Sequence, residues 1–215
     1  MPRKRLPPSL RVEIPGDRQT MSPVLGPFSL DRVVRAVELV RQRLLRATAA
    51  LESAGLPYAV AGGNAVALWV SRVDPGAVRN TSDVDLLVRR ADLERVKVAL
   101  AAAGFEYRHT AGLDLFLDGP EGRPRDGIHL IFAGEMVKPS EALPNPDVTD
   151  SEKSDEFRVL GLRALVGVKL TAYRDKDRTH LRDMIDVGLI DNSWGQYYPA
   201  ELAERLRALV ETPGG

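Results

Sequence analysis

Asp83 and Asp85 stand one residue apart at the head of an apolar run, in the stretch Arg79-Asn80-Thr81-Ser82-Asp83-Val84-Asp85-Leu86-Leu87-Val88. A polar loop followed by such a run reads as a strand entering the core, and strand side chains at i and i+2 share a face. Both carboxylates therefore point one way, close together. Like charges so placed cannot both stay ionised cheaply unless a cation lies between them. A hard ion such as Mg²⁺ suits the pair, and it keeps waters and takes substrate phosphates as its other ligands. The chemistry indicated is phosphoryl or nucleotidyl transfer.

Upstream, Gly62-Gly63 falls between a short apolar strand and a helix. Without a Cβ the backbone admits a phosphate, and the helix N-terminus offers unpaired N–H groups at the positive end of its dipole. Either feature alone is more often a plain turn or strand end. Their pairing is what points to a nucleotide.

The elements that must hold these residues follow from hydrophobic spacing. Residues 1–28 are rich in Pro, Gly and charge and read as an arm with little structure. Val33, Val34, Val37, Val40, Leu44, Leu45 and Leu51 fall at helical spacing and predict a helix over 30–53. Tyr58–Ala61 is a buried strand, and a helix runs from Asn64 to about Ser71. Asp74-Pro75-Gly76 forms a turn within a long gap before the Asp83–Val88 strand. A helix over 91–103 and strands over 105–117 and 127–132 come next. Residues 141–160 connect this 29–140 core to a C-terminal helical part, 161–215, packed upon it, with helices over 162–173, 179–190 and 199–210. The pattern predicts an α/β (α+β) fold, a small mixed sheet flanked by helices.

Bulk properties narrow the function. Thirty acidic residues balance thirty basic ones, so no global field draws nucleic acid, and strong general nucleic-acid affinity is not expected. There is no cysteine, which removes disulfides and zinc–thiolate sites, and three histidines argue against a His-rich metal site. No apolar run approaches the ~18 residues of a membrane span. The basic start lacks the apolar segment of a secretory signal. A cytoplasmic protein is expected.

Gly62-Gly63-Asn64 with Arg79-x-Thr81-x-Asp83-Val84-Asp85-Leu86 resembles the signature of the polymerase-β-like nucleotidyltransferase superfamily. It looks most like the small bacterial nucleotidyltransferases related to abortive-infection and toxin–antitoxin enzymes. The stretch Leu162-x-x-Leu165-x-x-x-Lys169-Leu170-x-Ala172-x-Arg174-x-Lys176-Asp177 is similar to the helical segment that follows their core, and the resemblance covers roughly residues 29–190. It implies transfer of a nucleoside monophosphate from a nucleoside triphosphate to a hydroxyl acceptor, a small molecule, a protein side chain or an RNA end. It implies Mg²⁺ or Mn²⁺ on Asp83 and Asp85. Gly62, Gly63 and Asn64 would meet the triphosphate, Arg79 and Thr81 would shape the loop, and Lys169 would reach the phosphates.

The chain departs from that pattern where a third carboxylate is expected, since His129 stands there in Gly127-Ile128-His129-Leu130-Ile131-Phe132. Imidazole suits Mn²⁺ or Zn²⁺ better than Mg²⁺, and it can act as a general base. Asp114 on the preceding strand is a substitute third ligand, Asp126 lies nearer but in a turn, and a two-ligand site is the remaining option. A catalytically weak nucleotide- or partner-binding module on the same fold is the alternative function. Arg174–Asp177 read as a solvated charged face, His180 and Asp183 as a surface pair one turn apart, and Trp69, Trp194, Tyr197 and Tyr198 as packing residues.

Overall fold

The computed structural model of the chain describes Gly26 and residues 29–212, so the arm expected over 1–28 falls, Gly26 apart, outside the described residues. Helix α1 (Leu30–Ser53) leads into β1 (Tyr58–Ala61), α2 (Gly62–Ser71), β2 (Val84–Val88) and α3 (Leu93–Ala102). The pair β3 (Phe105–Thr110) and β4 (Leu113–Asp118) precedes β5 (Ile128–Phe132). Then come β6 (Ser151–Lys153), β7 (Arg158–Leu160), α4 (Leu162–Ala172), α5 (Asp175–Asp186) and α6 (Ala200–Glu211). The strands form one seven-stranded mixed sheet in the order β3-β4-β5-β2-β1-β7-β6, flanked by the helices as the sequence predicts.

The centre of the sheet explains its composition. β1 pairs with β2 on one side and β7 on the other, and every one of its residues is buried. Such a strand must be apolar without alternation. Helix α1 lays Leu44, Ala47 and Leu51 on the core at helical spacing, while Leu30, Val33 and Val34 at its start remain exposed. The C-terminal helices contribute Leu165, Leu170, Leu181, Leu202 and Leu206 to the same core. Among the described residues no helix is long and apolar enough to cross a membrane.

Three local expectations change. The strand expected over 105–117 is a hairpin, because Ala111 and Gly112 both have positive φ (50° and 76°), the two-residue mirror-image turn that reverses a strand. Alanine at its first position hides a turn usually announced by Asn or Asp. The connection 141–160 carries β6 and β7, each too short for a period to register. Helix α5 begins at Asp175, ahead of the expected Thr179, and ends at Asp186. Its start is set by Asp177, whose Oδ2 accepts from both the backbone N–H and the Nε of Arg174, which turns the charged run into a first helical turn.

Sheet register does the positioning. β2 runs antiparallel to β1, pairing Ala61 with Asp85, and parallel to β5, pairing Asp85 with His129. Three residues distant in sequence thus form one row across the sheet.

Candidate metal centre

Asp83 precedes β2 by one residue, Asp85 is the second residue of β2, and His129 is the second of β5. One ligand atom from each lies within 4.8 Å of the others, and among the described residues this is the one such group. His129 Nδ1 is 3.9 Å from Asp85 Oδ1 and 4.0 Å from Asp83 Oδ2. Its other nitrogen, Nε2, lies 2.9 Å from the carbonyl oxygen of Pro124. A carbonyl only accepts, so Nε2 carries the proton and donates, leaving the Nδ1 lone pair turned toward the carboxylates. That is how a histidine is oriented for a metal.

Asp114 is elsewhere. The register pairs Leu115 with His129, so alternation sends Asp114 to the opposite face. There it is buried, accepts from the Tyr107 hydroxyl, and pairs with His109 Nδ1 at 2.9 Å. Asp126 sits in a single 3-10 turn beside Arg125.

The loop carrying Asp83 is tied at four points. Arg79 Nε donates to Asp183 Oδ1 at 2.7 Å, and Thr81 donates its hydroxyl to Asp83 Oδ1. Asn64 Nδ2 donates to the main-chain carbonyl of Asp83 at 2.8 Å. Arg43 reaches from α1 to the carbonyl of Ser82 at 3.3 Å and to Asp118 at 3.2 Å. Asn64, Arg79 and Thr81, expected to meet or frame a nucleotide, thus hold the loop that presents a carboxylate. Arg43 was not singled out by the sequence reading, although a buried charge beside the apolar stripe of α1 is a visible signal.

The glycines also serve the site's own side chains. A Cβ on Gly62, at φ +62°, would lie 1.7 Å from Asp85 Oδ2, and one on Gly63 would lie 2.9 Å from the Thr81 Cβ. The space that was expected to admit a phosphate over these residues is filled by Asp85 and Thr81. The first N–H groups of α2 still lack intrahelical acceptors. Gly62→Ala should therefore displace Asp85, weaken Mn²⁺ binding at least about tenfold, and cost about 2 kcal/mol or more, beyond the ~1–2 kcal/mol of left-handed strain. Gly55, at φ +61° with nothing within 4 Å of its added Cβ, is the control. Calorimetric titration and melting of both variants decide it, and equal Mn²⁺ affinity in the two would show that Gly62 is only a turn.

Lys169 is buried and paired within the fold. Its side chain is 5 % exposed and Nζ lies 3.0 Å from Asp177 Oδ1, with Asp177 1 % exposed. Arg174 Nε donates to the other oxygen of Asp177 at 2.8 Å. The charged run taken as a solvated face is thus half structural, because Asp177 is the buried anchor of the α4–α5 junction. Lys176, from the same run, lies 3.2 Å from Asp83 Oδ2.

The environment pushes the two acidic ligands apart. Asp85 is driven up, first by burial and then by the neighbouring Asp83 charge, with Lys169, Lys176 and His129 opposing. For Asp83 burial is the largest influence and acts upward, but the Thr81 hydroxyl and the Lys176 ammonium together hold it below the usual carboxylate range. Two like-charged groups with opposite shifts describe a pair in need of a further positive charge.

His180 and Asp183 do not form the expected surface pair, since both are buried. Asp183 takes Arg79 instead, and His180 Nδ1 and Asp183 Oδ2 have no partner. Burial, with the Lys169 and Lys176 charges, pushes the His180 imidazole down to about 4, so it is neutral at pH 7. The aromatic residues pack as expected: Trp69 Nε1 donates to the Leu160 carbonyl at 3.0 Å, Trp194 meets Tyr197 edge-on, and the Tyr198 hydroxyl donates to the Arg163 carbonyl at 2.9 Å.

Among solved structures the chain is similar to the antibiotic-resistance factor ANT(2'')-Ia in solution, at 16 % identity over 82 % of this chain and 90 % of that one, TM-score 0.48. It is similar to a nucleotidyltransferase from H. pylori at 15 % identity over 83 % and 76 %, TM-score 0.45. An antigenic nucleotidyltransferase-like protein from Paracoccidioides brasiliensis matches at 18 % identity over 86 % and 90 %, TM-score 0.45. No curated protein matches the chain. Residues 43–215 match the family described as the nucleotidyl transferase AbiEii toxin, type IV toxin–antitoxin system. That match takes in the sheet, the Asp83–Asp85–His129 group and the C-terminal helices, and the chain belongs to this AbiEii family within the polymerase-β-like nucleotidyltransferase superfamily.

Proposed function

We propose that the chain is a divalent-metal-dependent nucleotidyltransferase that moves a nucleoside monophosphate from a nucleoside triphosphate onto a hydroxyl and releases pyrophosphate. The observation that carries this is the convergence of Asp83, Asp85 and His129 within 4.8 Å, with the imidazole oriented by the Pro124 carbonyl. Two carboxylate oxygens and one such nitrogen fit a divalent ion, and the nitrogen favours Mn²⁺ over Mg²⁺. When bound, the ion offsets phosphate charge and lowers the pKa of an attacking hydroxyl.

The chain's own residues supply the rest. Thr81 fixes the Asp83 side chain, Asn64 and Arg43 fix its backbone, and Gly62 leaves room for Asp85. The start of α2, next to the acidic pair, offers N–H groups to the triphosphate. Lys169 supports Asp85 as a buried positive charge rather than as a phosphate ligand. The acceptor hydroxyl belongs to a small molecule, a protein side chain or an RNA end.

Pyrophosphate release from each of the four nucleoside triphosphates, with Mn²⁺ or Mg²⁺, tests the reading. The parent should favour Mn²⁺ by about tenfold or more, and His129→Asp should move the preference toward Mg²⁺. Identical metal preference in both proteins would remove His129 from the metal. A chain that binds Mn²⁺ and triphosphate but releases no pyrophosphate is the binding module instead.

A further inference from the structure

Lys176 Nζ lies 3.2 Å from Oδ2 and 3.4 Å from Oδ1 of Asp83, spanning both oxygens of one carboxylate. Its side chain is 49 % exposed, so it is free to move in a way that buried Lys169 is not. The helix beneath it is fixed. Its neighbour Asp177 is clamped by Lys169 and Arg174, and Asp183, seven residues on and on the same face of α5, holds Arg79 at the start of the Asp83 loop. The ammonium is therefore presented to Asp83 by a rigid element at both ends.

A divalent ion on Asp83 would sit within a few ångströms of that ammonium, where like charges repel. The ammonium and the ion are rivals for one carboxylate. A triphosphate arriving with the ion removes the rivalry, since its oxygens offer the displaced ammonium a new partner.

We propose that Lys176 is the resident counter-cation of the metal site, holding Asp83 until a metal–triphosphate complex arrives and then transferring from carboxylate to phosphate. The inference rests on the metal-dependent reading above. It makes ion and triphosphate bind with positive coupling, because each pays less when the other is present. It also assigns to Lys176 the phosphate contact that the family resemblance implies for Lys169.

The test uses the full chain and two probes without a base: Mn²⁺ alone, followed by the resonance of the free aqueous ion, and preformed Mn²⁺–tripolyphosphate, followed by calorimetry. Lys176→Met should bind Mn²⁺ alone about tenfold more tightly than the parent and the complex about tenfold more weakly, opposite signs that general damage cannot produce. Lys176→Arg should stay near the parent in both. Unchanged Mn²⁺ affinity in Lys176→Met would show that the ammonium does not compete and overturn the inference alone. Tighter Mn²⁺ binding with unchanged affinity for the complex would overturn the transfer to phosphate. No Mn²⁺ binding by parent or variant would overturn the metal reading and the inference with it.

Discussion

Asp85→Asn is expected to abolish divalent binding and pyrophosphate release while making the chain more stable. Loss of the ion forfeits several kcal/mol of charge stabilisation, a fall of roughly a thousandfold or more in rate. The gain in stability comes from the same burial that serves the site. Asp85 is held above its ordinary range by burial and by Asp83, so folding favours its neutral form. Such a group contributes stability fully below its unfolded pKa and loses it as pH rises through the raised folded value. At pH 7, above the unfolded pKa, the acidic group therefore costs the fold stability, and a neutral amide of the same shape relieves it. A rise in Tm of roughly 2–4 °C, corresponding to ~1 kcal/mol in a domain of this size, is expected without metal. The difference between the proteins should shrink toward about pH 4. A variant that melts no higher than the parent and still binds Mn²⁺ would sink the assignment.

Lys169→Met should act on the fold rather than on the nucleotide. Removing one partner of a buried pair strands the other charge, at about 3–5 kcal/mol. Arg174 keeps its contact with Asp177, so the lower end of that range applies, a fall in Tm of roughly 6–12 °C. Adding Asp177→Asn should recover much of the loss, because the stranded charge disappears while a capping oxygen remains. Asp177 also dates the effect in pH. Burial acts upward on it, but Arg174 and Lys169 outweigh this and hold it below the usual range. Its contribution is present above its unfolded pKa and lost as pH falls through the lower folded value, so the Lys169→Met penalty should fade in acid. An unchanged Tm with a tenfold loss of triphosphate affinity would restore Lys169 to the phosphates.

These two residues mark what the sequence makes legible. The Asp83–Asp85 face rests on the alternation of a strand, a local rule, and it can be read without tertiary information. His129 is visible only through a family pattern, since nothing near it in sequence says that β5 will lie parallel to β2. Asp114 stands as the substitute for His129 until the Leu115–His129 register sends it to the other face. The destinations of Lys169 and Lys176 depend on how α4 meets α5, which the family resemblance, pointing to Lys169 for the phosphates, does not reveal. The Gly62-Gly63 pair is conspicuous in the sequence, but only the packing of Asp85 and Thr81 against it shows which atoms use the space. Most of the sheet and helices follow from spacing, and the exceptions are a turn with an untypical residue, two strands of three residues and the early start of α5.

The row Ala61, Asp85, His129 also sets a schedule for synthesis. The acidic pair emerges early, but β5 can dock beside β2 only after α3 and the hairpin have been made. The ammonium that reaches Asp83 comes later still, on α5. A chain stopped before Ile128 holds two carboxylates without the imidazole, and ribosome-bound fragments of that length should bind Mn²⁺ poorly. The Asp83–Asp85–His129 group is thus assembled in the second half of translation rather than when its carboxylates appear.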